Sequence, residues 1–294
     1  MHHFGQLNSK PGHWRAAGVC VGLAAAVAWL YAGVFPGLVR QWANDEDYSH
    51  GFFVLPLAAY FLWERRQQLR DAVPHPSAFG LLVLAGSLLC FIAGQFGSEL
   101  FLSRISLIGV VAGLVLFLCG WRHLRLAAFP LAFLLLMVPL PEIIFNRITF
   151  PLQMLASQVG ETMIAASGVP VMREGNILLL PNRTLEVAEA CSGIRSLMSL
   201  TMLAIVLGYF TERRSWARVA IALAAVPIAV IANAVRVAGT GLASYWISPA
   251  AAEGFFHTFS GWLMFIVALG ALLVFHRALE MGRARIARPR EVAC

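Results

Sequence analysis

The sequence predicts an all-α polytopic membrane protein of about eight transmembrane helices, and three observations carry that prediction. Hydrophobic residues make up 59% of the chain against 13% charged, with a mean hydropathy of +0.74; soluble domains carry about 25% charged residues. The apolar residues run in long uninterrupted blocks, as membrane helices do. The alternating pattern of a membrane barrel is absent. Hydrocarbon offers the backbone no hydrogen-bond partner, so blocks of this length must be helical. One integral domain is expected over 1–294, with 277–294 as a basic cytoplasmic tail.

The blocks are taken in chain order. Spans are expected at roughly 16–35, 49–63, 78–96, 102–120 and 124–140, then at 192–210, 217–236 and 257–276. The first is too long for a signal-peptide core and is read as a retained helix. Gly18/Gly22 and Gly109/Gly113 are small residues four apart, suited to close helix packing. Between the fifth and sixth spans, 145–168 reads as an amphipathic helix interrupted near Pro151, either lying in the interface or re-entrant. The short apolar runs Val171-Met172, Ile177 to Leu180 and Leu185 to Val187 follow. Arg173-Glu174-Gly175-Asn176 and Pro181-Asn182-Arg183-Thr184 separate them and are turn-like, so a small outer-face hairpin or cap is expected before Cys191.

Arginine placement orients the chain. With the N-terminus inside, the inner side receives Arg65, Arg66, Arg70, Arg122, Arg125, Arg213, Arg214, Arg218 and the arginines of the tail. Few acids accompany them, which predicts an N-in, C-in protein of the bacterial inner (plasma) membrane. The net charge of +7 is therefore a topology and leaflet signal; no basic stripe suits nucleic acid.

That orientation makes the reactive residues informative. Cys20, Cys90 and Cys119 lie within apolar spans, where a buried thiol is ordinary. Cys191 instead stands where the outer loop enters the sixth span, and a helix N-terminus favours thiolate. Arg236 falls roughly 30 Å along the seventh helix, near the outer boundary. His257 opens the eighth span from the outside. An arginine near a helix end commonly snorkels, and an interfacial histidine is commonly just solvated. Their shared depth with an isolated outer cysteine points instead to a thiol nucleophile with a base and a cation.

At these positions the chain resembles the exosortase/archaeosortase family. The resemblance rests on Tyr48-Ser49-His50-Gly51, Arg173-Glu174-Gly175-Asn176, Cys191-Ser192-Gly193-Ile194-Arg195-Ser196, Asn233-Ala234-Val235-Arg236 and Phe256-His257. It implies a catalytic set of Cys191, Arg236 and His257. It also implies exported protein substrates whose C-terminal signal comprises a short Pro-Glu-Pro-like motif, a transmembrane helix and a basic tail. Thiol chemistry then gives Cys191 as nucleophile, His257 as proton carrier and Arg236 as oxyanion stabiliser. Arg195, Asn233 and His50 are possible supporting residues; Arg195 reads equally well as an interfacial snorkel, and His50 as structural or substrate-facing.

Other classes find less support. H-E-x-x-H, G-x-S-x-G and phosphate-loop motifs are all missing, and no metal or other cofactor is expected. The alternative is a multi-span transporter with Arg236 and His257 lining a substrate path and Pro227 breaking a helix. A non-catalytic envelope scaffold is a third reading. Asn182-Arg183-Thr184 matches a glycosylation acceptor by spacing only and is discounted.

Overall fold

The computed structural model describes residues 12–97, 99–187, 194–247 and 254–287. They fall into two compact units, one within 12–45 and 51–138 and the other within 46–50 and 139–287. Five helices among the described residues are long and apolar enough to cross a membrane, or up to seven if each of two bent helix pairs counts as one span. The polytopic helical class is thus as expected, with five to seven candidate spans among the described residues.

In the first unit, α1 (Gly12–Leu30) and α2 (Val34–Asn44) form one bent pair, at 62°. The expected first span ended at Phe35 and missed α2. That helix buries Val34, Leu38 and Trp42, spaced one turn apart on one face, and Trp42 Nε1 donates to the Met137 carbonyl at 2.9 Å. Next come α3 (Gly51–Glu64), a short α4 (Arg66–Asp71), α5 (Phe79–Phe96), α6 (Leu100–Cys119) and α7 (Trp121–Phe133), which continues as a 3₁₀ turn to Met137. Gly109 and Gly113 are where α6 meets α5: a Cβ at either would press on Ser87 or Leu84. Small residues do close that pair. Gly18 and Gly22 do not act this way, since a Cβ on either would meet nothing within 4 Å. Gly120 turns α6 into α7 at φ 85°, a left-handed conformation that favours glycine. Cys90 is exposed on α5 rather than buried, on a helix only 11% buried over its most apolar stretch, whose apolar sides suit lipid.

The second unit begins with a 3₁₀ turn, Glu46–Tyr48, and resumes at α8 (Glu142–Ala166). Pro151 does not interrupt α8, which runs through it for 25 residues. The non-helical residues fall instead just before α8, where Pro139 and Pro141 stand close together and disfavour helix before each of them. Strands β1 (Met172–Glu174), β2 (Ile177–Leu180) and β3 (Arg183–Glu186) follow as an antiparallel meander. Gly175, at φ 66°, makes the first turn. The second is shorter than expected, because Arg183 and Thr184 pair with Leu180 and Leu179. Leu178, Leu180, Leu185 and Val187 all face one cluster with Ile164 of α8 and Val237. Ser157 Oγ donates to the Gly175 carbonyl at 3.2 Å, and Asn182 Nδ2 to the Ser244 carbonyl at 3.0 Å. Asn182 therefore ties the meander to the helix that bears Ser244.

Three long helices complete the unit: α9 (Ile194–Thr211), α10 (Ser215–Trp246) and α11 (Gly254–Ala287). Alanines 204, 225, 229 and 268 pack with Leu200, Ile221 and Leu272 at their centre. The expected seventh span stopped at Arg236, yet α10 continues past it to Trp246, 32 residues in all. Pro227 lies inside without ending the helix, so the broken helix of the transporter reading is not found there.

Candidate active site

Cys191 lies outside the described residues, in the stretch 188–193 between β3 and α9. What the structure describes is the ground on either side. α9 opens at Ile194, which is buried. Ile194 and Leu197 line a small cavity of about 20 Å³ with Gln153 of α8 and Ala229 and Asn233 of α10. The first turn of α9 therefore meets α10 at the level of Asn233, itself 8% exposed.

One turn further along α10, Arg236 reaches α11. Its Nε donates to Ser260 Oγ at 3.4 Å. The guanidinium lies over Gly261, where a Cβ would stand 3.4 Å from Nη2 and 3.5 Å from Cζ. A glycine at this point lets the planar group approach the helix closely. His257 sits on the same helix one turn before Gly261; its side chain is outside the described residues. The backbone thus brings Arg236 to the turn of α11 that follows His257. Ser260 and Gly261 were not anticipated, although Ser260 stands three residues after His257 and so on the same face.

The supporting candidates are held separately. Arg195, in the first turn of α9, pairs with the Glu46 carboxylate. Both side chains are more than half exposed, so the pair contributes little by itself. It nevertheless gives Arg195 a partner that local sequence could not name. His50 is buried beside the Tyr48 ring, at 6.2 Å between centroids. Tyr48 in turn packs on Phe145, and its hydroxyl accepts from the Leu140 N–H at 3.1 Å. The short segment 46–50 therefore belongs to the same unit as Arg195, Asn233 and Arg236.

A model of the transmembrane exosortase family matches residues 42–274. The chain belongs to that family. No curated protein and no solved structure matches it. The matched stretch takes in every residue considered above, from Glu46 to Gly261.

This exosortase has one group of side chains, among the described residues, with the spacing of a metal site. Glu212, His276 and Glu280 bring one ligand atom each within 4.8 Å of one another. Arg283 already occupies Glu212, donating from Nη1 to Oε2 at 2.6 Å and from Nη2 to Oε1 at 2.5 Å. His276 Nε2 lies 3.4 Å from the same carboxylate. Arg283 hydrogen-bonding holds the buried Glu212 below its ordinary carboxylate value of 4.5, against the opposing effect of burial. The group is thus a charge-neutralised tie between the α9–α10 connection and α11.

Proposed function

We propose that this exosortase is a cysteine peptidase–transpeptidase that cleaves the C-terminal sorting signal of exported proteins at the outer face of the inner membrane. The Cys191 thiolate attacks the scissile carbonyl, the C–N bond breaks, and a thioester to the exported part forms. His257 takes the thiol proton and delivers it to the departing amine. Arg236 stabilises the oxyanion, for which a planar, permanently charged group with five donors is suited. Water then completes hydrolysis, or an amine completes transfer.

The observation that carries this reading is the Arg236 guanidinium lying across Ser260 and Gly261, one turn from His257. The opening turn of α9, which follows Cys191 in sequence, lines a common cavity with Asn233 on the helix that bears Arg236. Arginine placement supports an N-in, C-in topology with this end outside.

One experiment tests chemistry and sidedness together. A membrane-impermeant thiol reagent applied to intact spheroplasts should label Cys191, and Cys191→Ser and Cys191→Ala should abolish processing of a signal-bearing reporter while the protein still accumulates. Wild-type processing in both variants contradicts the cysteine mechanism, and labelling of Cys191 only after lysis contradicts the topology.

A further inference from the structure

Arg104 is an anomaly in the first unit. It lies in the second turn of α6, a helix otherwise almost wholly apolar, and is only 4% exposed. Its Nη1 donates to Gln41 Oε1 at 2.6 Å, a neutral partner. No carboxylate among the described residues stands within ion-pair distance; Glu99 acts on it only through space. A cation buried without a counter-charge is costly to hold, and an arginine inside a membrane segment is read first as part of a functional site, with its partner to be named.

The surroundings supply the shape of that ligand. A pocket of about 460 Å³ opens beside Arg104, with Arg40, Gln41, Gln95 and Ser103 also on its wall. Gly33, at the α1–α2 bend, and Gly37, in the first turn of α2, leave it room. A second cavity, of about 500 Å³, is lined solely by apolar residues, among them Leu107, Ile108, Val111, Val115 and Leu118 of α6. With Arg104, these residues recur every three or four positions and share one face of the helix. The apolar stripe from Leu107 to Leu118 runs about 16 Å, close to one leaflet of a hydrocarbon core about 30 Å thick. A cationic, hydrogen-bonding head space and an apolar tail space therefore follow one another along the same helix.

We infer that this cleft binds one phosphate-headed membrane lipid, its phosphate on Arg104 and Arg40 and an acyl chain along the α6 stripe. Phosphate matches the planar guanidinium fork with paired acceptors. The chain requirement separates a lipid from a free anion, and the charge requirement separates it from a neutral lipid. The site lies wholly within the first unit and uses none of the residues of the proposed catalysis.

The test uses full-length protein, delipidated in detergent and examined by native mass spectrometry with short-chain phosphatidylglycerol, the matching diacylglycerol and inorganic phosphate as separate probes. Phosphatidylglycerol should bind one to one, with the other two at least tenfold weaker. Arg104→Gln should weaken phosphatidylglycerol about tenfold or more, the scale of one charge-assisted hydrogen bond. Gly37→Leu should do the same by filling the head space, and its new side chain starts from open space, with nothing within 4 Å of the Cβ. That variant decides the matter if Arg104→Gln fails to fold. Diacylglycerol binding as tightly as phosphatidylglycerol, inorganic phosphate binding as tightly alone, or unchanged affinity in Gly37→Leu would each overturn the assignment.

Discussion

Each end of α11 meets an arginine, in a different setting. Near its C-terminal end, Arg283 is matched donor for acceptor by the buried Glu212, with His276 and Glu280 beside them. Near its N-terminal end, Arg236 arrives from α10 and lies across a serine hydroxyl and a glycine. The first arrangement cancels charge and secures geometry. The second brings a planar cation against the turn of α11 that follows His257, and the proposed mechanism assigns it the charge that develops during the reaction.

Substitutions at the two ends should break that contrast in different observables. His257→Gln keeps a polar side chain but removes proton transfer, so turnover of a signal-bearing reporter should fall by about 10²–10⁴-fold, with melting temperature unchanged. Arg236→Lys keeps charge and loses the fork, and should cost about 10²–10³-fold in the same assay. A lysine that processes normally would reduce Arg236 to a snorkelling residue.

At the other end the readout is stability. Glu212→Gln should lower the melting temperature by about 2–10 °C while leaving turnover near wild type. The pH dependence has a definite sign. Glu212 is held below its ordinary value of 4.5, so its contribution is complete above that value and is lost as pH falls through the depressed one. Wild-type protein should lose stability in that acid window more steeply than Glu212→Gln, measured by thermal unfolding in detergent. The smallest effect is expected at Arg195→Gln. Its exposed pair with Glu46 should contribute less than about 1 kcal/mol, and raised salt should mimic the substitution.

Much of the fold was legible because hydropathy is local. The blocks at 78–96, 102–120 and 192–210 lie within two residues of α5, α6 and α9 at each end. Where polarity and helicity part company the reading failed. α2 carries Arg40 and Gln41 and so ends the apolar run, although Val34, Leu38 and Trp42 mark its buried face. α10 outlasts its apolar stretch because its later turns bury Val237, Ala238 and Gly241 against the protein rather than lipid. A lone proline removes one helical bond, yet Pro151 sits inside α8 without ending it, while Pro139 and Pro141 stand in the non-helical stretch before that helix. For the site, the sequence leads to the expectation that Arg236 and His257 share one depth, and Arg236 does reach the turn of α11 that follows His257. Sequence could not supply the partners that act across long separations, such as Glu46 for Arg195 or Glu212 for Arg283, 71 residues away.

The central claim is that Cys191 carries the substrate covalently. It is tested most directly by mixing purified protein with a signal-bearing peptide, quenching in acid, and measuring the intact and peptide-mapped masses. A transient adduct equal to the N-terminal fragment, mapped to Cys191 and released by hydroxylamine, is the predicted result. It should be absent in Cys191→Ala and should accumulate when no amine acceptor is supplied. Cleavage of the peptide by Cys191→Ala, or an adduct mapped to any other residue, would contradict the account.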